Sequence, residues 1–200
     1  MALEQPVTTG GALTSRQQER RVRILTTAIE LASAGGYEAV QMRDVAARAD
    51  VALGTLYRYF ASKDHLLAAA WAHWAAQLEP RITARPLRGD SMAERAGDFL
   101  RRSTRAFERN PRLGAAVLAT MSSTDPNVLE PQHQGSELIA RILMGVMEPL
   151  DRPTAEGIRA VLSHVWYSAL LTWVRRGQTD MAEVYGVLDQ ACHLLLDPRE

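Results

Sequence analysis

Between Gly35-Gly36 and Ser62 the sequence leaves room for only two short helices, about Met42 to Ala49 and Leu53 to Tyr59, separated by Asp50-Val51-Ala52. Helices this short do not persist alone in water, because nucleation orders several residues before hydrogen bonds repay the entropy. They must pack on each other and on a third helix, and Val45, Ala46, Val51, Leu56 and Phe60 are spaced to supply that contact. Ala46 marks the crossing, where only a small side chain fits. Two short helices, a three-residue turn and a helix laid across them make a helix-turn-helix, from Asp44 to Tyr59.

The remainder also reads as helix, rich in Ala, Leu, Arg, Glu and Met with apolar residues three and four apart, and no segment alternates like a strand. A first helix is expected from Arg16 to Ala34, buried through Ile24, Leu25, Ala28, Ile29 and Leu31 and ended by Gly35-Gly36. Ser62 caps a helix to about Glu79, where Pro80 should stop it, and Pro80 to Asp90 form a connector. Ser91 with Glu94 signals a helix to Arg109, and Pro111 opens one to about Met121. After a turn at Ser122 to Pro126, helices are expected over Gln134 to Met147, from Asp151 and Pro153 to near Gly177, and from an Asp180/Glu183 capping box to about Leu196. The fold class is all-α: a three-helix head on a helical body. Residues 1–14 read as a disordered lead-in, 15–61 as the helix-turn-helix domain and 62–200 as the body.

Composition narrows the chemistry. With 46% hydrophobic and 23% charged residues and no apolar run long enough to span a bilayer, the chain reads as a globular, cytoplasmic protein with no membrane partner. Cys192 is the single cysteine, which excludes an internal disulfide, and with five scattered histidines no metal cluster or cofactor site suggests itself. No metalloprotease helix, nucleophile elbow, phosphate loop or dinucleotide fingerprint is present, so a small enzyme is the weaker class; an interaction protein that has lost DNA binding is another. Net charge is zero, yet Arg16, Arg20, Arg21 and Arg23 face only Glu19. That local excess suits either a solvated helix face or an arm on a phosphate backbone.

Residues 35–70, GGYEAVQMRDVAARADVALGTLYRYFASKDHLLAAA, resemble the DNA-binding segment of TetR-family repressors, with G-T-L-Y-R-Y-F followed by S-K-D-x-L-L as the specific part. The resemblance implies a ligand-responsive, DNA-binding transcriptional regulator, and a repressor in most of the family. It implies that Arg43 meets the major groove or its edge, that Thr55 and Tyr57 contact DNA from the recognition helix with Arg58 alongside, and that Tyr59 and Lys63 contact phosphate. Arg20 joins them from the first helix. Gln41, Asp50 and Ala52 depart from the common pattern, where a hydroxyl cap, Gly and a capping Ser are frequent. Asp tolerates the left-handed turn conformation, and Gln41 is expected to make a side-chain contact of its own.

For the body the resemblance implies a homodimer, built from the last two helices and reading a palindromic operator in double-stranded DNA. The candidate dimer residues are Trp166, Leu170, Trp173, Val174, Val187, Leu188, Ala191 and Leu195. Trp71, Trp74, Phe99, Phe107, Leu118, Met121, Ile142, Met144, Met147, Trp166 and Trp173 are candidates to line a ligand pocket, although side chains of these types at helical spacing ordinarily fill a core. His164, beside Trp166, is either a ligand-orienting group or a core or interface histidine. Residues 35–46, the A-D-V-A-L-G-T-L-Y-R-Y-F that follows, and V-W-Y-S-A-L-L-T-W-V-R-R at 165–176 are similar to the actinobacterial subgroup that represses cholesterol and steroid catabolism. That likeness implies a bulky hydrophobic effector, a steroid acid or its coenzyme A thioester. Control of drug efflux by unrelated hydrophobic compounds is the alternative.

Overall fold

The computed structural model describes residues 14–177 and 180–197. Among them are nine helices and no strand. The expected lead-in lies outside the described residues except for Thr14, which caps α1 (Ser15–Ala39) in a capping box with Gln17. The straight part of α1 does break at the glycine pair, where Gly36 adopts φ 72° and ψ −161°, a conformation essentially confined to glycine. Helical structure then resumes to Ala39, five residues beyond the expected end. Helices α2 (Met42–Arg48) and α3 (Leu53–Tyr59) complete the head around Ile24, Leu25, Val45, Leu56 and Phe60, all buried.

Helix α4 (Lys63–Thr83) follows the head and packs against α1. The expected stop at Pro80 is corrected: α4 passes through it. Proline costs the helix one hydrogen bond and a steric clash. Burial of Ile82 and the Arg102 guanidinium, which donates to the carbonyls of Ile82, Arg85 and Pro86 at 2.8–3.0 Å, hold the last turn in place. The connector accordingly shortens to residues 84–91.

The body continues with α5 (Met92–Arg109), α6 (Pro111–Thr120), α7 (Pro126–Val146), α8 (Arg152–Arg175) and α9 (Ala182–Leu196). Ser91 and Glu94 form the capping box read from the sequence. Helix α7 begins eight residues before its expected start and runs through Pro131, because Asp125 caps it, Val128 and Pro131 are buried, and the Gln132 amide donates to the Thr120 carbonyl at 2.6 Å. At α9 the expected capping box is replaced. Asp180 accepts from the Ala182 N–H, while Glu183 pairs with Arg176. In the body α4 packs on α7 and α9 on both α5 and α8, while α6 packs against α1 of the head.

Candidate nucleic-acid interface and ligand cavity

The turn between α2 and α3 is a Schellman closure. The Val51 N–H reaches back to the Ala46 carbonyl at 3.0 Å and the Asp50 N–H to the Ala47 carbonyl at 3.3 Å, with Asp50 in the left-handed region at φ 53°. Asp50 is the one non-glycine residue with positive φ among the described residues, and it stands where glycine is usual. Neither Gln41 nor Ala52 gives its helix a side-chain cap. The Gln41 amide turns back instead and donates to the Glu38 carbonyl at 2.9 Å.

With Leu56 and Phe60 committed to the core, α3 turns its opposite side outward: Tyr57 is 49% exposed, Arg58 is exposed and Thr55 half-buried. Gln41 and Arg43 are exposed at the start of α2. Tyr59 is half-buried, and its hydroxyl donates to the Gln17 carbonyl at 3.4 Å, tying α3 to α1. The arginine-rich start of α1 divides into two sets. Arg16 is exposed and Arg20 half-buried, whereas Arg21 lies 5.7 Å from the Phe60 ring centroid, its guanidinium pKa lowered by burial, and Arg23 donates to the Ala49 carbonyl at 3.3 Å.

Lys63 is placed differently from the other candidates. Its ammonium sits 3.8 Å from the Tyr37 ring centroid and 3.8 Å from a Glu38 carboxylate oxygen, so it also fastens the first turn of α4 to α1. Beside it the Tyr37 hydroxyl donates to Asp64 at 2.6 Å, and that bond, with burial, pushes the phenol pKa up to about 12. Arg112 on α6 makes a second bridge, to the Ala34 carbonyl near the end of the straight part of α1. Movement of α4 or α6 therefore reaches the head through specific bonds. None of Tyr37, Asp64, Arg102 or Arg112 is recognisable from sequence periodicity, since each acts through a contact distant in the chain.

Helices α4 to α8 border a cavity of about 360 Å³, walled by Trp71 of α4, Phe107 of α5, Leu118 and Met121 at the end of α6, Ser136 and Ile139 of α7, and Ser163, His164, Trp166, Tyr167 and Leu170 of α8. Its volume lies within the range of small-molecule sites. Five sequence candidates meet here: Trp71, Phe107, Leu118, Met121 and Trp166. Trp74 stands behind them, its ring centroid 5.7 Å from Trp71 and 5.4 Å from Phe107. Phe99, Ile142, Met144, Met147 and Trp173 pack elsewhere, Phe99 and Met147 fully buried in the core. The polar members Ser136, Ser163 and Tyr167 escaped the sequence reading; Ser163 and Tyr167 lie four apart on α8, flanking Trp166, a spacing that marks them in retrospect. His164 lines this cavity and also an open groove of about 670 Å³ between α8 and α9, with Nδ1 2.7 Å from the Ala160 carbonyl.

The body core absorbs half of the candidate dimer residues. Trp166, Leu170, Trp173 and Leu188 are buried within this one chain, and the Trp166 indole donates to Thr104 Oγ1 at 2.9 Å. Val174, Ala191 and Leu195 are half-buried, and Val187 alone of the set is well exposed, at 41%. The bulky rings turn inward because that side buries more apolar area. This moves the outward apolar face of α8 and α9 to Val161, Tyr167, Val187 and Leu194.

Residues 24–70 match the family described as bacterial regulatory proteins, tetR family, and residues 89–195 match the tetracyclin repressor-like C-terminal domain. The chain is 40% identical over 182 residues to the HTH-type transcriptional repressor KstR of Rhodococcus jostii (strain RHA1), covering 90% of this chain and 84% of that repressor. Its fold is similar to that of a TetR transcriptional regulator from Rhodococcus sp. RHA1, with TM-score 0.81, 26% identity and coverage of 93% of this chain and 100% of that one. It is also similar in fold to Thermus thermophilus FadR, a TetR family repressor solved in complex with lauroyl-CoA, with TM-score 0.72, 22% identity and coverage of 90% and 96%. The homologous repressors are not enzymes, and no helix among the described residues is long and apolar enough to cross a membrane. A helix-turn-helix head on a cavity-bearing helical body, matched along both halves, makes this chain a member of the TetR family of bacterial transcriptional regulators.

Proposed function

We propose that this protein is a homodimeric repressor of steroid or related lipid catabolism, released from its operator by a bulky acyl thioester or the corresponding acid. The observation that carries this reading is the cavity. Its wall is mostly aromatic and aliphatic, its polar groups gather at Ser136, Ser163, His164 and Tyr167, and one of its sides is the helix that enters the head. Such a site suits an amphiphile with a rigid apolar body. The likeness to KstR and to an acyl-CoA-bound FadR supports the same ligand class.

Gln41, Arg43, Thr55, Tyr57, Arg58, Tyr59 and Arg20 are the proposed DNA contacts, with Lys63 exchanging Glu38 for a phosphate on binding. The outward face of α8 and α9, with exposed Val161, Val187 and Leu194, is the proposed dimer contact. Ligand would favour a conformation in which α4 and α6 hold the head badly placed for DNA, and linkage requires DNA to weaken ligand binding equally.

The test is a titration on a DNA fragment recovered by selection from random sequence. A steroid acyl thioester should release the protein at stoichiometric occupancy; release only by unrelated drugs would sink the steroid reading in favour of efflux control. Tyr57→Ala should weaken DNA binding by about 1–3 kcal/mol without affecting dimerisation, and Lys63→Ala should lower the salt dependence by about one counterion.

A further inference from the structure

Helices α4 and α7 lie side by side, with the Trp71 ring against Gly135, where a Cβ would overlap the indole, and Glu79 3.8 Å from Arg141. This α4–α7 seam has two sides. Ser136 and Ile139 face the ligand cavity, whereas Gln134, Glu137, Leu138 and Arg141, spaced along one face of α7, line a separate open groove of about 470 Å³. Helix α4 supplies its floor through Ala69, Ala72 and Ala76, with His73 among them, and the head contributes Arg21 of α1. Groove and cavity share no lining residue.

Arg21 is held in an uncommon way. Burial lowers its guanidinium pKa and the Phe60 ring lies 5.7 Å away, yet among the described residues it has neither a carboxylate partner nor a hydrogen-bond acceptor. A guanidinium carries five N–H donors, and a half-buried charge left unpaired is costly. His73 also has a donor to spare. The Gln77 amide nitrogen lies 2.9 Å from Nε2 of His73 and donates to it, so the ring proton is on Nδ1, which meets no acceptor among the described residues. Burial, and after it the charge of Arg21, lowers the His73 pKa and keeps the ring neutral. Arg141 stands on the α7 side, loosely opposed by Glu79. Glu137 is the one carboxylate among the residues lining the groove.

We propose that this groove is a phosphate site, in which Arg21, His73 and Arg141, one from each of α1, α4 and α7, donate to the oxygens of a small phosphate-bearing molecule seated on the alanine floor. Donors arriving from three helices suit a tetrahedral oxyanion better than a planar carboxylate, and the guanidinium fork matches phosphate. Because the seam separates the groove from the cavity, the phosphate belongs to a second ligand and not to the tail of the first. Bound there, it joins the head to the body and opposes the displacement that frees DNA; this last step rests on the ligand response proposed above.

The experiment titrates full-length protein labelled with ¹³C,¹⁵N-histidine with inorganic phosphate, acetate and free coenzyme A, at constant ionic strength balanced with chloride. The His73 signal is assigned by its loss in His73→Gln. Phosphate should move it saturably, and acetate should bind at least about tenfold more weakly. Arg21→Gln should weaken phosphate binding by about tenfold and Arg141→Gln by about threefold, whereas Arg152→Gln on α8, the same change of charge, should leave it unaltered. Arg141→Gln carries the test should Arg21→Gln not fold. Equal response to phosphate, acetate and chloride, a shift that never saturates, or indifference to both groove variants overturns the site. Coenzyme A binding more than about tenfold tighter than phosphate overturns its assignment to a second ligand. On the selected DNA fragment, phosphate should raise the thioester concentration needed for release, and less so in Arg141→Gln; phosphate binding without that effect overturns the link between head and body. Failure of every thioester to release DNA removes the effector reading alone, since the phosphate titration does not use it.

Discussion

The head and the body are built from the same kinds of residue yet are packed to opposite ends. In the head, Ile24, Leu25, Val45, Leu56 and Phe60 are all buried to within 1% of complete, and side chains such as Tyr59, Arg23 and Gln41 spend their donors on nearby carbonyls. In the body, five helices stop short of each other and leave about 360 Å³ among large aromatic rings, with one indole N–H unpaired in the wall. Close packing makes a head that presents α3 rigidly; incomplete packing makes a body whose helix spacing a ligand can change. The difference separates presentation from sensing within one chain.

Paired truncations probe that contrast most strongly. Leu56→Ala, in the sealed head, should cost about 2–5 kcal/mol, whereas Leu118→Ala, beside space that already exists, should fall at or below the lower end of that range; thermal unfolding of the two variants measures both. Equal losses would mean that the cavity wall is as tightly packed as the head. Filling rather than emptying should be felt next. Gly135→Ala forces the Trp71 indole off the α4–α7 seam at about 1–3 kcal/mol, and DNA affinity without ligand should fall with it. Unchanged DNA binding in a folded Gly135→Ala protein would show that this seam does not communicate with the head.

A smaller effect of opposite sign is expected at the turn. Asp50→Gly removes the left-handed strain at φ 53° and should stabilise the head by about 0.5–1 kcal/mol, visible as later hydrogen exchange in α2 and α3. The smallest effect concerns pH. His65 accepts the Ala61 N–H through Nδ1 at 3.2 Å and packs edge-on against Phe60, and burial lowers its pKa below 6.5. A base whose folded pKa is depressed binds its proton less well when folded, so this corner has its full stability above pH 6.5 and loses it as pH falls toward the folded pKa. Unfolding temperatures measured on either side of pH 6.5 should show a drop on the acid side that His65→Gln reduces.

The head was legible because its signals are local. Two short helices cannot exist without the packing that Val45, Ala46 and Leu56 provide, and α3 spans the same residues in sequence and structure, Leu53 to Tyr59. Capping boxes at Ser91 and N-terminal prolines at Pro111 and Pro153 likewise mark their helices in one short window. Pro80 misled for the complementary reason: the local penalty is real, and distant contacts from Arg102 outweigh it.

For the ligand site, composition named the right kinds of side chain and half of the right positions. Trp71, Phe107, Leu118, Met121 and Trp166 converge on the cavity, while Phe99 and Met147, indistinguishable by type and spacing, fill the core. Periodicity tells which side of a helix is apolar but not what faces it. The sequence by itself therefore determined an all-helical chain, the helix-turn-helix and the family. Only the tertiary structure decided that Trp166, Leu170 and Trp173 are buried within their own chain, that Lys63 and Tyr37 clasp α4 to α1, and that Trp71 carries an unspent donor. Those outcomes depend on contacts between residues far apart in the chain, and no local pattern encodes them.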